Sequence, residues 1–127
     1  MSFQGLQAYD HSFKLVSSIF RMINQFPKEE DYSLTDQIRR SSRSVTANLA
    51  ESFGRRAYPT HFQSQLADCA SENIETQAWL DFSLDCGHIS PEVHAVHIEA
   101  SERVGRLLSH MQSNPDRFLA VGLLGKK

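Results

Sequence analysis

With 127 residues, 40% of them hydrophobic and 22% charged, the chain has the size and balance of one globular domain with a substantial core, and it leaves no room for a second. A net charge of -2 and a pI near 6.3 exclude a general polyanion binder, which carries a strong positive balance. The N-terminus lacks a basic segment followed by an apolar run and a cleavage site, and no apolar run approaches the ~18 residues of a membrane span, so a cytoplasmic location without membrane contact is expected.

The first predicted element runs from Leu6 to Phe26, where Tyr9, Phe13, Val16, Phe20 and Ile23 step by 4, 3, 4, 3 and form the expected seam of an amphipathic helix. Pro27 and the KEED run end it. A second helix spans Ser33 to Arg56. Ser33 is its expected N-cap with Asp36 in the first turn, Leu34, Ile38, Val45, Leu49 and Phe53 are its apolar side, and Gly54 is its stop. Tyr58-Pro59-Thr60 is a turn offering Tyr58 or Thr60 as a cap, and a third helix continues to about Cys86 before Gly87. In the fourth, Ser90 caps, Pro91 sits at the first helical position, and Val93, His97, Ala100, Val104, Leu107 and Met111 keep the helical spacing up to Asn114-Pro115. No segment alternates with period two. The expected fold is all-α, an antiparallel up-down-up-down four-helix bundle over residues 1–113. An apolar C-terminal tail over 114–127 packs along the bundle or on a neighbouring chain.

Charge is segregated along this framework. From Ser33 to Thr60, Arg39, Arg40, Arg43, Arg55 and Arg56 face only Asp36 and Glu51, a balance of +3; His61 to Gly87 holds Asp68, Glu72, Glu75, Asp81 and Asp85 with no Lys or Arg, a balance of -5. On the second helix the first three arginines lie nearly opposite the apolar side, beside Ala47 and Ala50. These arginines suit phosphate binding, and equally a solvated face or an inter-subunit salt-bridge surface.

The third helix carries two apolar bands. Phe62, Leu66, Cys69, Leu80 and Leu84 are core, whereas Ala67, Ile74, Ala78 and Phe82 form a second band fit for another subunit. Between them Asp68, Glu72, Glu75 and Trp79 make an acidic ridge that can meet the basic face of a neighbour, closing a ring, or of its own chain. Asn48, Glu51 and Asn73 are expected to be structural polar groups, Glu51 pairing with Arg40 or Arg55. Six histidines and two cysteines match no strong zinc pattern, although Cys86-Gly87-His88 and His94-x-x-His97 fall near one bundle end; His97 is expected in the core. No Gly-rich phosphate loop, nucleophile elbow or inward Glu-x-x-His pair occurs, so neither a catalytic residue nor a metal or other cofactor is assigned.

The phrase LTDQIRRSSRSVTANLAESFGRR, the Ser71-Glu72-Asn73-Ile74-Glu75-Thr76 segment and Gly87-His88-Ile89 resemble the four-helix-bundle proteins encoded in intervening sequences of bacterial 23S ribosomal RNA genes. The resemblance covers roughly Tyr9 to Met111 and is most specific from Arg39 to Arg56. Ser52 departs from it, standing where a glycine usually follows Ala-Glu, which implies slightly wider packing there. The resemblance implies a left-handed bundle assembled into a homo-oligomeric ring of five subunits. It is similar also to the accessory protein of diversity-generating retroelements, which binds nucleic acid and a reverse transcriptase. This implies a non-enzymatic protein that contacts RNA or DNA, in a ribonucleoprotein, through Arg39, Arg40, Arg43, Arg55 and Arg56. Asp68, Glu72, Glu75, Trp79, Ile74 and Phe82 would then serve the oligomer interface. The alternative is a protein-binding adaptor that captures a partner helix with the Phe118–Leu124 tail or the second band of the third helix, without nucleic acid.

Overall fold

A computed structural model describes residues 2–119 and consists of four long helices, α1 (Gln7–Ile23), α2 (Leu34–Gly54), α3 (Pro59–Asp85) and α4 (Pro91–Ser113). Short 3-10 turns, Phe3–Gly5, Lys28–Glu30 and Pro115–Arg117, precede α1, join it to α2 and follow α4. Each helix packs on its chain neighbours, and α1 closes against α4. The direction alternates. Gln65 near the start of α3 meets Glu51 near the end of α2, and Gln63 Nε2 donates to Gln112 O at the end of α4. His94 at the start of α4 meets Asp81 at the end of α3. The all-α four-helix bundle expected from the spacing is therefore the fold.

Ile19, Ile38, Leu49, Phe62, Leu66, Leu80, Val104 and Leu108 are almost fully buried and form the centre of the core. Each contributes about 1.5–3 kcal/mol by leaving water. The core side of α1 keeps only Ile23 of the expected seam, with Tyr9 at its margin. Ala8, Ser12, Leu15, Ile19, Met22 and Ile23 are buried, while Phe13 and Phe20 stand 53% and 48% exposed and Tyr9 and Val16 are half-buried. The reason is Ser12: its hydroxyl donates to Tyr9 O at 3.0 Å and accepts from Thr46 Oγ1 at 3.1 Å, so a small polar residue is satisfied inside the bundle. The bulkier aromatics lie on the outer side of the same helix.

Cap chemistry follows the sequence in one place and departs from it in another. Ser90 Oγ accepts from Val93 N at 3.1 Å with Pro91 at the first helical position. Ser33 occupies the N-cap position of α2 but makes no cap bond, because its hydroxyl turns back to Glu30 Oε1 at 2.6 Å. At the end of α3, Gly87 takes φ +77°, and His88 N and Gly87 N donate to Ser83 O and Leu84 O, the bonding of a Schellman motif. Ser52 is fully buried, its Oγ donating to Leu49 O at 2.7 Å. Leu119 is buried and Phe118 packs against the core edge-on to His110; the rest of the expected Phe118–Leu124 capture segment lies outside the described residues.

Candidate assembly and nucleic-acid interface

The surroundings of the arginines divide them. Arg39 Nη2 and Arg40 Nε both donate to Asp36, at 3.2 Å and 2.8 Å, a local clamp worth about 0.3–0.5 kcal/mol per pair. Arg43 lies 5.9 Å over the Phe20 ring of α1. Arg56 folds back over Phe53, 3.5 Å from the ring centroid, with Nε donating to Phe53 O at 2.9 Å. Arg55 is exposed and shares a hollow with His61, Gln65 and Asp68.

Beside Arg43 the molecule has an open apolar groove. Its walls are Phe3, Tyr9, Phe13 and Val16 on the α1 side and Arg43, Thr46, Ala47 and Ala50 on the α2 side. The small α2 residues let the aromatics stand proud and leave the floor shallow. A second uncovered band lies on α3, where Ile74 and Phe82 are 66% and 54% exposed and the Trp79 ring sits 5.7 Å from Phe82. Trp79 Nε1 donates to Glu75 Oε1 at 3.3 Å, joining this band to the acidic ridge. Partial burial, then the charge of Glu75, pushes the Glu72 carboxyl above its usual range, with Asp68 adding to the effect. The ridge thus repels itself and gains from a cationic neighbour.

Among the described residues no ion pair joins the α2 arginines to the α3 carboxylates, so the two charged faces do not neutralise each other within one chain. Nor does Glu51 pair with Arg40 or Arg55. Its Oε2 accepts from Gln65 Nε2 at 2.5 Å, and the same amide donates to Asn48 Oδ1 at 3.3 Å while Asn48 Nδ2 donates to Ser44 O. Gln65, which the charge pattern does not single out, therefore locks α2 to α3. Asn73 is buried, donating to Ser101 O and accepting from Ser101 Oγ. His97 is buried, as its position in the stripe requires, with Nδ1 on Val93 O at 2.7 Å and Nε2 on Ser18 Oγ at 2.8 Å. Burial pushes the Cys69 thiol up to about 12, whereas Cys86 is exposed.

Charge also separates along the bundle axis. The ends of α2 and α4 bring Arg55, Arg56, Arg106 and Arg117 to one end, with Glu51 and Asp116 among them; the opposite turns carry Glu29, Glu30, Asp31, Asp81, Asp85 and Glu92 with Arg21 and Lys28. Arginines at helix C-termini also suit the helix dipole, but Asp81 and Asp85 at the end of α3 oppose it, so the dipole alone does not produce this polarity. Among the described residues Arg55 and Arg106 form no ion pair.

A model of the 23S rRNA-intervening sequence protein matches residues 4–110, from the turn before α1 to the last turn of α4. The chain belongs to that family. A crystal structure of a protein of unknown function from the S23 ribosomal protein family of Bacteroides thetaiotaomicron VPI-5482 superposes with a TM-score of 0.76 at 22% identity, covering 84% of this chain and 95% of that one. This likeness is one of fold. Among curated proteins no relative matches. Within this intervening-sequence protein the features that pattern reading passed over are the outward aromatics of α1 and the placement of Arg106 near Arg55's end of the bundle. The first was legible in principle, since Leu15, Ile19 and Met22 form a second stripe one residue away; the second needs the antiparallel packing. Among the described residues no helix is long and apolar enough to cross a membrane.

Proposed function

We propose that the protein is a non-enzymatic, cytoplasmic scaffold that assembles head to tail into a homo-oligomeric ring, pentameric by resemblance, and holds RNA or DNA by its phosphates at the basic end of each bundle. The division of the arginines carries this reading. Arg43 lines an apolar groove, with Arg39 and Arg40 one turn before it on α2, and the three fit the acidic, apolar α3 surface of a second copy; among the described residues Arg55 and Arg106 form no ion pair, and they lie toward one end of the bundle and suit phosphate, with Arg56 and Arg117 at the same end. Because the groove and the α3 band are different surfaces, their contact is heterologous and continues from copy to copy until it closes. Repetition of one weak basic patch around a ring multiplies its affinity, which reconciles phosphate binding with a net charge of -2.

Fluorescence anisotropy with a labelled single-stranded RNA, repeated across a salt series, tests it. Affinity should fall steeply with salt, and R55A/R106A should reduce the logarithmic salt slope by about 1.4, at roughly 0.7 for each phosphate that is no longer neutralised. R39A/R40A/R43A should instead lower the assembly state seen by light scattering. Binding that ignores salt, or a slope unchanged in R55A/R106A, refutes the phosphate role. Salt-independent capture of a helical peptide would favour the adaptor alternative.

A further inference from the structure

The α1–α2 turn and the α3–α4 turn meet at the acidic end of the bundle, and three unlike donors converge there. Glu30 Oε2 lies 2.9 Å from His88 Nε2, and the Cys86 thiol completes a group whose donor atoms all fall within 4.8 Å of one another. We propose that Glu30, Cys86 and His88 form a binding site for a divalent ion of the zinc class, stapling the two turns together.

The donor set decides the ion. One thiolate, one imidazole and one carboxylate suit borderline-soft Zn(II), which takes four tetrahedral ligands at about 2.0–2.3 Å, so neighbouring donors stand about 3.3–3.8 Å apart. A spread of up to 4.8 Å closes to that by side-chain rotation, and Cys86 is exposed and free to turn. Water fills the fourth position. The thiol proton passes to solvent on binding, and the ion replaces the hydrogen bond between His88 and Glu30.

The surroundings are built for such a site. Gly87 at φ +77° reverses the chain between the two ligands, in a conformation that only glycine adopts without strain, so Cys86 and His88 face the same opening. The Phe26 ring, buried, packs 5.2 Å from the His88 ring and walls one side. Ser33 Oγ donates to Glu30 Oε1 at 2.6 Å, orienting the carboxylate and leaving Oε2 for the ion.

Cobalt(II) titration of the full chain under reducing conditions tests the proposal. One equivalent should bind, with an intense thiolate-to-cobalt charge-transfer band in the near ultraviolet that zinc abolishes by displacement. C86S, nearly isosteric at an exposed position, should lose that band. E30Q and H88Q should weaken binding by more than about 100-fold, exceeding the roughly 10- to 100-fold loss usual for an outer-shell partner. Far-ultraviolet circular dichroism confirms each variant folded, and H94Q, which alters the nearby pair with Asp81, should bind as the parent does. Absence of binding, cobalt bound without the charge-transfer band, or equal affinity in C86S overturns the site and leaves the Glu30–His88 pair as a simple clamp between turns.

Discussion

Truncating the uncovered band of α3, as I74A/F82A, separates assembly from folding. Ile74 and Phe82 are 66% and 54% exposed in the subunit, so their removal opens no core cavity, and subunit stability should move by no more than about 0.5 kcal/mol. If a neighbouring copy covers the band, each side chain gains the rest of its burial there. Full burial of such a side chain is worth about 1.5–3 kcal/mol, so these exposed fractions correspond to about 1–2 kcal/mol each. The double variant should therefore weaken each subunit contact by about 2–4 kcal/mol, roughly 30- to 700-fold in its association constant. Sedimentation velocity over a dilution series reads the assembly, and urea unfolding of the dissociated variant reads the fold. An unchanged sedimentation profile refutes the interface. A large loss of subunit stability refutes the claim that the band lies outside the core.

Three further outcomes follow from individual residues. Gly87→Ala meets no atom within 4 Å of the added carbon, so its cost is backbone strain alone, about 1–2 kcal/mol, read by chemical denaturation. Iodoacetamide under native conditions should modify Cys86 and spare Cys69, whose buried thiol is pushed up to about 12; peptide mapping that finds both labelled at equal rates contradicts the packing. Glu72 has a folded pKa raised above its ordinary 4.5, so its contribution to stability is fully present below that value and is lost as pH rises through the folded pKa. On the dissociated I74A/F82A background, adding E72Q should raise stability at neutral pH and flatten the fall above pH 4.5, measured by urea unfolding across pH.

The fold was legible because α2 and α4 each carry one dominant apolar stripe and α3 a core band beside its second one, bounded by strong punctuation at Pro59, Gly87 and Pro91. Helix α1 misled because residue size and residue burial part company there. The aromatics at 9, 13 and 20 give a strong stripe, while the true core side passes through Ser12, whose fitness for the interior depends on Thr46 in another helix. Ser41 and Ser101 are buried in the same way, paired with Thr76 and Asn73 of α3, and a single sequence does not distinguish a paired serine from a solvated one. The Ser33 cap failed for a local reason: Glu30, three residues earlier, competes for the hydroxyl. The arginines were legible as a set but not by environment, since Phe20 reaches Arg43 only across a helix interface. The convergence of Glu30 on Cys86 and His88 was invisible, because it spans two turns far apart in the chain.

The polar bonds of the interior and the apolar bands of the surface are parts of one arrangement. Each contact around the bundle carries a side-chain hydrogen bond: Ser12 with Thr46 between α1 and α2, Ser41 with Thr76 between α2 and α3, Asn73 and Gln77 with Ser101 between α3 and α4, and Ser18 with His97 between α1 and α4. An all-apolar bundle tolerates sliding of one helix along another, whereas a slip of one turn, about 5.4 Å, would break these cross-helix bonds; Ser12, Ser41, Thr76 and His97 keep a bond within their own helices, but the buried Asn73 amide loses its partners on α4 at about 1–3 kcal/mol each. The same slip between α1 and α2 would carry Phe13 and Phe20 past Ala47 and Arg43 and erase the groove they form. A ring that closes requires both of its contact surfaces at fixed height and azimuth on every copy, because angular error accumulates around the circle. Buried hydroxyls and amides supply that fixity where apolar packing alone would not, so in the proposed ring the core serines would act on assembly through register.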